Sequence, residues 1–258
     1  MKKYELTSET KVINGVELHR IKALEFFGSV GKGELGGWIE SEKNLSQYGN
    51  AWVGDNAMVY GNATVGGNAF ICGKATVRGK ATVGGNALVG GNAFISGKAS
   101  VGGKAFISGK AFISGKAIVC DNATVKGYAT VSNNAAVYGN AWVEGHATVG
   151  DNAKVYENAI VFENAMVGGD GKVSGNAWIC GDATVGGDAD YIVFKNWWSS
   201  GRYFTWTRSN NKWSVGCFYG SGEELIAKAY KDNEKSGREY ERVVNYVESI
   251  MEEENNNK

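Results

Sequence analysis

The feature that most constrains this chain of 258 residues is a six-residue repeat that runs without insertion from Asn50 to Gly187. It begins NAWVGD, NAMVYG, NATVGG and ends DATVGG, which makes 23 consecutive hexads. The fourth position is Val or Ile in every hexad, and the second is Ala in all but one, where Gly171 stands. Residues two apart on a strand point to the same side, so these two positions predict the inner face of a short strand. A fixed period over so many units indicates a solenoid.

The other positions of the hexad predict the corners of this solenoid. Pairs such as GG, GN, GK and GD separate the strands, and glycine adopts turn conformations that other residues resist. Three strands of four or five residues, each followed by a tight corner, close a triangular coil of 18 residues. Coils stacked at about 4.8 Å give a barrel roughly 35 to 40 Å long. Proline would remove a donor from the ladder, and the chain contains none.

The hexads resemble those of the hexapeptide-repeat proteins, whose motif has an aliphatic residue, a small residue, two variable residues and another small residue. This resemblance covers roughly half of the chain and implies a left-handed parallel β-helix that commonly forms a homotrimer. The segment GELGGWIESEKNLSQYGNAWV, which leads into the repeat, is similar to segments of hexapeptide-repeat proteins encoded by phages and prophages. The predicted fold class is therefore an all-β solenoid of the left-handed parallel β-helix type.

The regions on either side of the repeat predict two capping units. Residues 1–49 contain VINGVEL, in which an Asn-Gly pair between alternating apolar residues predicts a hairpin, so we expect an N-terminal hairpin cap. The β-helix is expected over 50–190. Residues 191–258 leave the repeat, and YIVFKNWW, RYFTWTR and KWSVGCFYG predict strands. A capping box from Ser221 to Glu224 opens the first of two helices, so this C-terminal module is predicted to be a small α+β unit.

Outward residues 18 positions apart stack in columns, one on each face of the coil. The first face carries an apolar column that only Thr124 interrupts, and the second face is half apolar. An apolar stripe of this length is a liability on a monomer, so we predict an oligomer interface, with the second face as the other side of a trimer contact. The alternative is that the C-terminal module folds back over the stripe. The predicted interface residues are Trp52, Phe70, Leu88, Phe106, Trp142, Ile160 and Trp178.

Charge is balanced over the whole chain, with 27 basic and 27 acidic residues, but it is segregated along the repeat. From Lys74 to Lys126 there are eight basic residues and one acid, whereas from Gly127 to Tyr191 there are eight acids and two lysines. Lysines stacked in register repel one another unless an anion lies between them. This pattern predicts either an anion site or a solvated face that discourages aggregation. The candidate ligand-binding residues are Lys80, Lys98 and Lys116, with Lys74, Arg78 and Lys110 beside them.

One histidine is a candidate for catalysis. The hexapeptide-repeat resemblance implies acyl transfer from acetyl- or acyl-CoA, with a catalytic histidine at the trimer interface and a loop that leaves the coil to wall the substrate. His146 is the only histidine of the coils, and no loop leaves the repeat to exclude water from a pocket. We therefore assign no catalytic residue, predict no cofactor and no metal site, and keep acyl-CoA-dependent acyltransferase as an alternative.

The cysteines and the N-terminus bear on the compartment. Cys72, Cys120, Cys180 and Cys217 form no CxxC pair, and two histidines are too few for a zinc cluster, so we expect reduced thiols. The N-terminal MKKYELTSETKV has no apolar run behind its lysines, which argues against a signal peptide. No stretch reaches the length of a membrane span. The predicted location is the cytoplasm of a bacterial host.

Together these features predict a non-catalytic, trimeric β-helical binding protein of phage or prophage type. Its partners would be further copies of itself and either a host macromolecule, such as a defence protein, or an anionic small molecule or nucleotide. Evasion of host defence follows from the resemblance alone, because a fold does not specify a function. A structural virion protein is a further alternative.

Overall fold

In a computed structural model of the chain, which describes residues 2–256, the repeat forms a parallel β-solenoid of about eight turns. Each hexad contributes one two-residue strand, made of its outward third residue and its inward fourth residue. Strands three hexads apart pair in register, so that Leu88 lies between Phe70 and Phe106. The predicted fold class, a left-handed parallel β-helix with an N-terminal hairpin cap and a C-terminal α+β module, is confirmed.

The elements follow the chain in a simple order. The N-terminal unit contains β1 (Tyr4–Ile13), β2 (Val16–Ala23), β3 (Leu35–Ile39) and a 3-10 helix (Glu42–Asn44). The solenoid strands are β4 (Trp52–Val53), β5 (Met58–Val59), β6 (Thr64–Val65), β7 (Phe70–Ile71), β8 (Thr76–Val77), β9 (Thr82–Val83), β10 (Leu88–Val89), β11 (Phe94–Ile95), β12 (Ser100–Val101), β13 (Phe106–Ile107), β14 (Phe112–Ile113), β15 (Ile118–Val119), β16 (Thr124–Val125), β17 (Thr130–Val131), β18 (Ala136–Val137), β19 (Trp142–Val143), β20 (Thr148–Val149), β21 (Lys154–Val155), β22 (Ile160–Val161), β23 (Met166–Val167), β24 (Lys172–Val173), β25 (Trp178–Ile179) and β26 (Thr184–Val185). A second 3-10 helix (Asp188–Asp190) then leads to β27 (Tyr191–Lys195), β28 (Tyr203–Thr207), β29 (Lys212–Val215), β30 (Phe218–Gly220), α1 (Gly222–Asp232) and α2 (Glu234–Asn256).

Three sheets form the three faces of the solenoid. Face 1 is the eight-stranded sheet that starts at β4, and face 3 is the seven-stranded sheet that starts at β6. Face 2 starts at β5, and β1, β2 and β3 continue it into an eleven-stranded sheet. Strand β3 pairs with β5 in parallel, whereas β1 and β2 pair antiparallel around Asn14 and Gly15, which both have positive φ. The predicted hairpin is therefore present, and it extends face 2 without a break.

The strands are shorter than the four or five residues expected, because one residue per hexad takes a left-handed conformation and ends the extended stretch. Gly97, for example, has a φ of 69°. A Cβ atom there would lie 2.7 Å from the carbonyl oxygen of Gly115 in the next coil, so a side chain at this position would force the corner to shift. The corners are nevertheless bonded from coil to coil, since the backbone N–H of Lys98 donates to Gly115 at 2.6 Å.

Five acidic residues occupy left-handed corner positions in place of glycine, with φ between 50° and 59°. Each carboxylate accepts the backbone N–H of the glycine one coil further on; Glu157 accepts from Gly175 and Glu163 from Gly181, both at 2.7 Å. The other three such acids are Asp55, Asp121 and Asp151. The hydrogen bond offsets the strain of a side chain in this region. Part of the acidity of the repeat is thus structural.

The interior of the solenoid is filled as the hexad predicts. Every Ala at the second position and every Val or Ile at the fourth is at most 2% exposed, and together they form one continuous cluster. Gly171, the single exception to Ala, is also buried. Because small and β-branched residues alternate in this core, each coil repeats the packing of the one before it.

The N-terminal unit caps the carbonyl groups at its end of the solenoid. At the N-terminal end of face 1, the ammonium group of Lys3 donates to the carbonyl oxygens of Ala51 at 2.8 Å and Gly49 at 3.3 Å. The side-chain amide of Asn44 donates to the carbonyl oxygen of Ala63 at 2.9 Å, beneath face 3. Strand β3 completes the cap, because it pairs directly with face 2.

The C-terminal module caps the opposite end with three hydroxyl groups, one for each face. They accept backbone N–H groups of the last coil: Thr205 from Trp178 on face 1 (2.9 Å), Ser209 from Thr184 on face 2 (2.7 Å) and Tyr191 from Ser174 on face 3 (3.2 Å). An uncovered sheet edge would pair with other chains, so these contacts protect the molecule from edge-to-edge association.

The C-terminal module has its own core between an antiparallel sheet, β27 to β30, and the two helices. Phe204 and Trp213 of the sheet pack with Leu225 of α1. The predicted capping box is present, because the Ser221 hydroxyl accepts the N–H of Glu224 and the Glu224 carboxylate accepts the N–H of Ser221. Within residues 2–256, no helix combines the length and the apolar character needed to cross a membrane.

The buried ammonium of Lys3 makes the stability of the N-terminal cap depend on pH. Lys3 is 2% exposed, and burial lowers its pKa to about 8 from an ordinary 10.5, while the charge of Glu25 acts in the opposite direction. Between these pH values the unfolded chain binds more protons than the folded chain. Stability from this group therefore rises as the pH increases from 8 to 10.5, and it is constant at lower pH, where both states are protonated.

We expect Lys3→Met to destabilise the cap by about 1–3 kcal/mol, because the carbonyl groups of Gly49 and Ala51 lose their donor. Hydrogen exchange followed by mass spectrometry should show faster exchange in the first coil, and the gain in stability between pH 8 and 10.5 should disappear. Lys2→Met is the matched control, since Lys2 is exposed and pairs with Glu42. Similar effects of the two substitutions would show that Lys3 has no special capping role.

Candidate functional site

The basic ridge consists of Lys80, Lys98 and Lys116, which lie one above another on the edge where face 2 turns into face 3. The backbone fixes their spacing, because the N–H of each lysine donates at 2.6 Å to a carbonyl oxygen in the next coil. All three side chains are exposed, and none forms an ion pair with another of residues 2–256. The predicted column is therefore an unneutralised row of ammonium groups on a rigid edge.

Face 3 beside the ridge is an open surface with small residues, here called the shelf. The shelf consists of Thr64, Gly66, Thr82, Gly84, Ser100 and Gly102. A methyl group placed on Gly84 or Gly102 would meet nothing of residues 2–256 within 4 Å, whereas one on Gly66 would meet the Ser46 side chain at 3.7 Å, so the shelf is open beyond its first coil. At the N-terminal end of the shelf, a cleft of about 490 Å³ lies beside Tyr48, which is 86% exposed. The shelf thus offers hydroxyl groups beside the ridge, and the ring of Tyr48 lies across face 3 from the ridge.

The three other candidate basic residues occupy different places. Arg78 lies at the end of a face 2 strand, next to the ridge, but its guanidinium covers the ring of Phe94 at 4.9 Å. Lys110 lies on the edge between faces 1 and 2, where its ammonium donates to the hydroxyl of Tyr128 at 3.2 Å. Lys74 is exposed on that same edge. The structure therefore brings Arg78 to the ridge and places Lys74 and Lys110 on the far side of face 2.

The ridge ends where the lysines of its edge are replaced by amides. Below Lys116 the side-chain amide of Asn134 donates to Asn152, and that of Asn152 donates to Asp170, both at 3.1 Å. A shallow depression of about 400 Å³ lies between Lys116 and these amides. Above Lys80 the same position is held by Asn62. The positive charge is thus confined to three coils of this edge.

The predicted interface column on face 1 is closed at its N-terminal end. Trp52 is fully buried, because Tyr4 and Phe27 of the N-terminal cap pack against its ring with centroids 6.4 and 5.4 Å away. Trp52 therefore offers no surface to a partner. Trp178, at the other end, is half-buried; its backbone N–H donates to the Thr205 hydroxyl of the C-terminal module, and its ring packs edge-on against Phe162.

The middle of this column is open. Phe106 and Trp142 are each 39% exposed, so the C-terminal module does not cover them and the fold-back alternative is wrong. Hereafter the open column means Phe70, Leu88, Phe106, Thr124, Trp142 and Ile160. An uncovered apolar row of this length is typical of contact surfaces.

The lower part of the open column contains an apolar cleft. Trp142 and Trp178 form its walls, Ile160 lies between them, and the volume is about 280 Å³. Glu144 fixes the first wall, because its carboxylate accepts the indole N–H of Trp142 at 2.9 Å and pairs with Lys126 at 2.8 Å. The hydrogen bond from Lys126 holds the pKa of Glu144 below its usual value. The cleft is therefore preorganised for an apolar side chain.

His146, the candidate catalytic residue, is exposed on the edge between faces 1 and 2. Its ring stacks on Tyr128 with a centroid distance of 4.8 Å and an angle of 11°. Within residues 2–256 the imidazole has no hydrogen-bond partner that would orient it as a base. The coils pair without interruption around it, so no loop walls a pocket there.

The four cysteines are free in the structure. Burial raises the pKa of Cys72, Cys120 and Cys180, the last to about 11. Because the thiolate is the reactive form, these three thiols are poor nucleophiles at neutral pH. Cys217, by contrast, is exposed.

Cys217 also lines a cavity that the sequence did not reveal. This cavity of about 390 Å³ lies between the sheet and the helices of the C-terminal module, and Arg202, Ser236 and Tyr240 contribute to its wall. The amide of Asn196 donates to the Tyr240 hydroxyl at 2.9 Å and is buried there. No periodicity marks these residues, and they come from separate stretches of the C-terminal module, so their proximity depends on the tertiary fold.

Comparison with known proteins supports the architecture of the repeat. Residues 51–67 match the family model described as YdcK beta solenoid repeat. No curated protein matches the chain. The matched residues span one coil, so the match concerns the repeat and leaves ligand and partner to the chemistry of the surface.

We expect the native protein at pH 8 to show one fast thiol in a titration with a disulfide reagent, because only Cys217 is exposed. The other three should react slowly, and all four should react after unfolding in the absence of reductant. Cys217→Ser should abolish the fast phase and leave the slow phases unchanged. Any fast thiol in that variant would contradict the burial of the solenoid cysteines.

Proposed function

We propose that the protein is a non-catalytic binding scaffold that holds a phosphate-bearing ligand, of the nucleotide or oligophosphate class, along the basic ridge. The register of Lys80, Lys98 and Lys116 is the observation that carries this proposal. Their ammonium groups are exposed, lack ion-pair partners within residues 2–256 and are held one coil apart by backbone hydrogen bonds.

Electrostatics favours an anion at this place. Successive coils lie about 4.8 Å apart, so the ridge carries three like charges over roughly 10 Å. Their mutual repulsion is relieved when negative charge lies between them. Because the backbone sets the spacing, little conformational entropy of the main chain is lost on binding. A chain of two or three phosphates matches the short length of this row.

The surroundings of the ridge favour a compact ligand over a nucleic acid. Asn62 and Asn134 replace lysine immediately above and below, so the row ends within one solenoid edge. Neutralisation of a nucleic-acid backbone requires more phosphate contacts, spread along a longer surface. The hydroxyls of Thr64 and Thr82 are available for a sugar or phosphate, and the exposed ring of Tyr48 is available to stack on a base.

We expect ATP and inorganic tripolyphosphate, used as two probes in calorimetry at low salt, to bind the wild type. Replacing Lys80, Lys98 and Lys116 together with Gln should weaken binding by about tenfold or more and flatten its salt dependence. The matched control replaces three other exposed or half-exposed solenoid lysines, which are Lys104, Lys110 and Lys126. This control makes the same change in net charge and should alter affinity less than about threefold, since these groups lie away from the ridge.

The results separate the parts of this proposal. Equal losses in the two triple variants, or no binding of either probe by the wild type at millimolar concentration, would contradict it. ATP binding that exceeds tripolyphosphate binding and falls in Tyr48→Ala would place the base in the cleft beside Tyr48. Equal affinities would limit recognition to the phosphate chain along the ridge.

We expect no acyl transfer from acetyl-CoA, because His146 has no orienting partner and no loop encloses it. CoA itself carries phosphates, so binding alone is not diagnostic, and the readout is release of the free thiol. The wild type and His146→Ala should both give the background rate. Turnover by the wild type that is lost in His146→Ala would support the acyltransferase alternative.

A non-catalytic protein acts on its ligand by holding it. Sequestration of a phosphate-bearing ligand on the ridge is the way in which this protein would take part in host-defence evasion. That role, and the phage or prophage origin, are supported by the resemblance of the segment before the repeat. A host macromolecule that displays phosphates would use the same ridge. A virion protein would instead co-sediment with particles.

A further inference from the structure

We propose that two copies of the chain associate antiparallel through face 1, with the two-fold axis crossing the open column between Phe106 and Thr124. The surface differs from the basic ridge, so this inference is independent of the proposed ligand. Coil one starts at Asn50, and each further coil starts 18 residues later.

The register of charges sets the position of the axis. The N-terminal cap covers Trp52 in coil one, so coil one lies outside the contact. An axis at the midpoint of coils two to seven, between coils four and five, pairs these coils with one another and brings opposite charges together on both edges of face 1. A two-fold axis through this midpoint, perpendicular to the solenoid, maps the open column onto itself, as an isologous interface requires.

The side chains of the open column complement one another in this orientation. Phe106 of one copy faces Thr124 of the second, and Leu88 faces Trp142, so a larger group lies opposite a smaller one. A parallel pair would instead place Trp142 against Trp142 and Thr124 against Thr124. That arrangement leaves a clash and a gap one coil apart, which dense packing does not tolerate.

The apolar cleft receives a side chain in the antiparallel pair. Coil two of one copy faces coil seven of the other, so Phe70 lies over Ile160, between the walls formed by Trp142 and Trp178. The cleft volume of about 280 Å³ accommodates a phenyl ring. By symmetry the contact occurs twice, at the two ends of the interface. Buried aromatic residues that fill a pocket are the usual anchors of an interface.

Charges along both edges of face 1 also favour the antiparallel pair. The axis keeps each edge facing the same edge of the second copy while it reverses the order of the coils. Lys104, at the corner before coil four, then faces Asp121, at the corner before coil five. On the other edge, Lys74 of coil two faces Glu163 of coil seven. Opposite charges thus meet on both sides of the apolar contact.

Parallel association brings like charges together. The hexapeptide-repeat resemblance implies a trimer with parallel coils, and in any parallel arrangement the basic coils of one copy lie beside the basic coils of another. In a parallel face 1 pair, Lys104 would approach Lys110, and Glu157 would approach Glu163. The segregation of charge along the solenoid therefore argues for reversal of the second copy.

Native mass spectrometry and spin-label distances test this arrangement in the full-length chain. We expect a dimer at micromolar concentration. In a Cys217→Ser background, labels at Asn68→Cys in coil two should lie about five coils apart along the axis, roughly 24 Å, whereas labels at Asn122→Cys in coil five should be offset by about one coil. Equal distances at the two positions would indicate parallel copies. That result, a trimer mass or a stable monomer would overturn the proposal.

A charge reversal tests the edge contact with a matched control. Lys104→Glu should weaken the dimer by about tenfold at low salt, and the effect should shrink at 0.5 M salt, because Asp121 of the second copy then faces a like charge. Lys98→Glu makes the same change at the same hexad position on the ridge and should leave the dimer intact. Equal weakening by both substitutions would contradict the contact. The ridge variant with three Gln should remain dimeric, so failure of ligand binding and failure of association are separate results.

Discussion

The backbone hydrogen bond between a corner residue and the equivalent corner of the next coil is the constraint on which this molecule depends. The N–H of Lys80, for example, donates to Gly97 at 2.6 Å, and the same bond recurs along every edge. Such a bond requires a close approach of successive corners and a left-handed residue just before the donor, a conformation that glycine adopts most easily. The glycines, the exact period and the alignment of outward residues all follow from it. Where an acid replaces glycine, its carboxylate takes over a backbone N–H and the period survives.

Periodicity made most of the fold and two of its surfaces predictable. Because the repeat fixes which residues face outward and which stack, the basic ridge and the apolar column could be located by position alone. The Asn-Gly hairpin and the Ser221 capping box were equally clear, since each depends on neighbours within a few residues. These features share one property, which is that their partners lie at a short or fixed distance along the chain.

The caps and the local state of individual side chains could not be predicted, because their partners lie at irregular distances. Lys3 bonds to Ala51, 48 residues away, and nothing in the first residues distinguishes it from Lys2. Trp52 and Trp142 occupy the same position of the repeat, yet the cap buries one and leaves the other exposed. The residues of the C-terminal cavity come from separate segments and carry no shared pattern.

The two caps are chemically opposite, and this polarity controls how such a chain can change its length. Donors from Lys3 and Asn44 meet carbonyl groups at one end, whereas hydroxyls of the C-terminal module meet N–H groups at the other. Each hydroxyl is assigned to one face. Insertion or loss of one hexad would rotate the C-terminal module by a third of a turn and present each hydroxyl to the wrong face, while a whole coil of 18 residues would preserve every contact. Duplication or deletion within the repeat therefore preserves both caps only in steps of three hexads. The chain can lengthen or shorten only by whole coils.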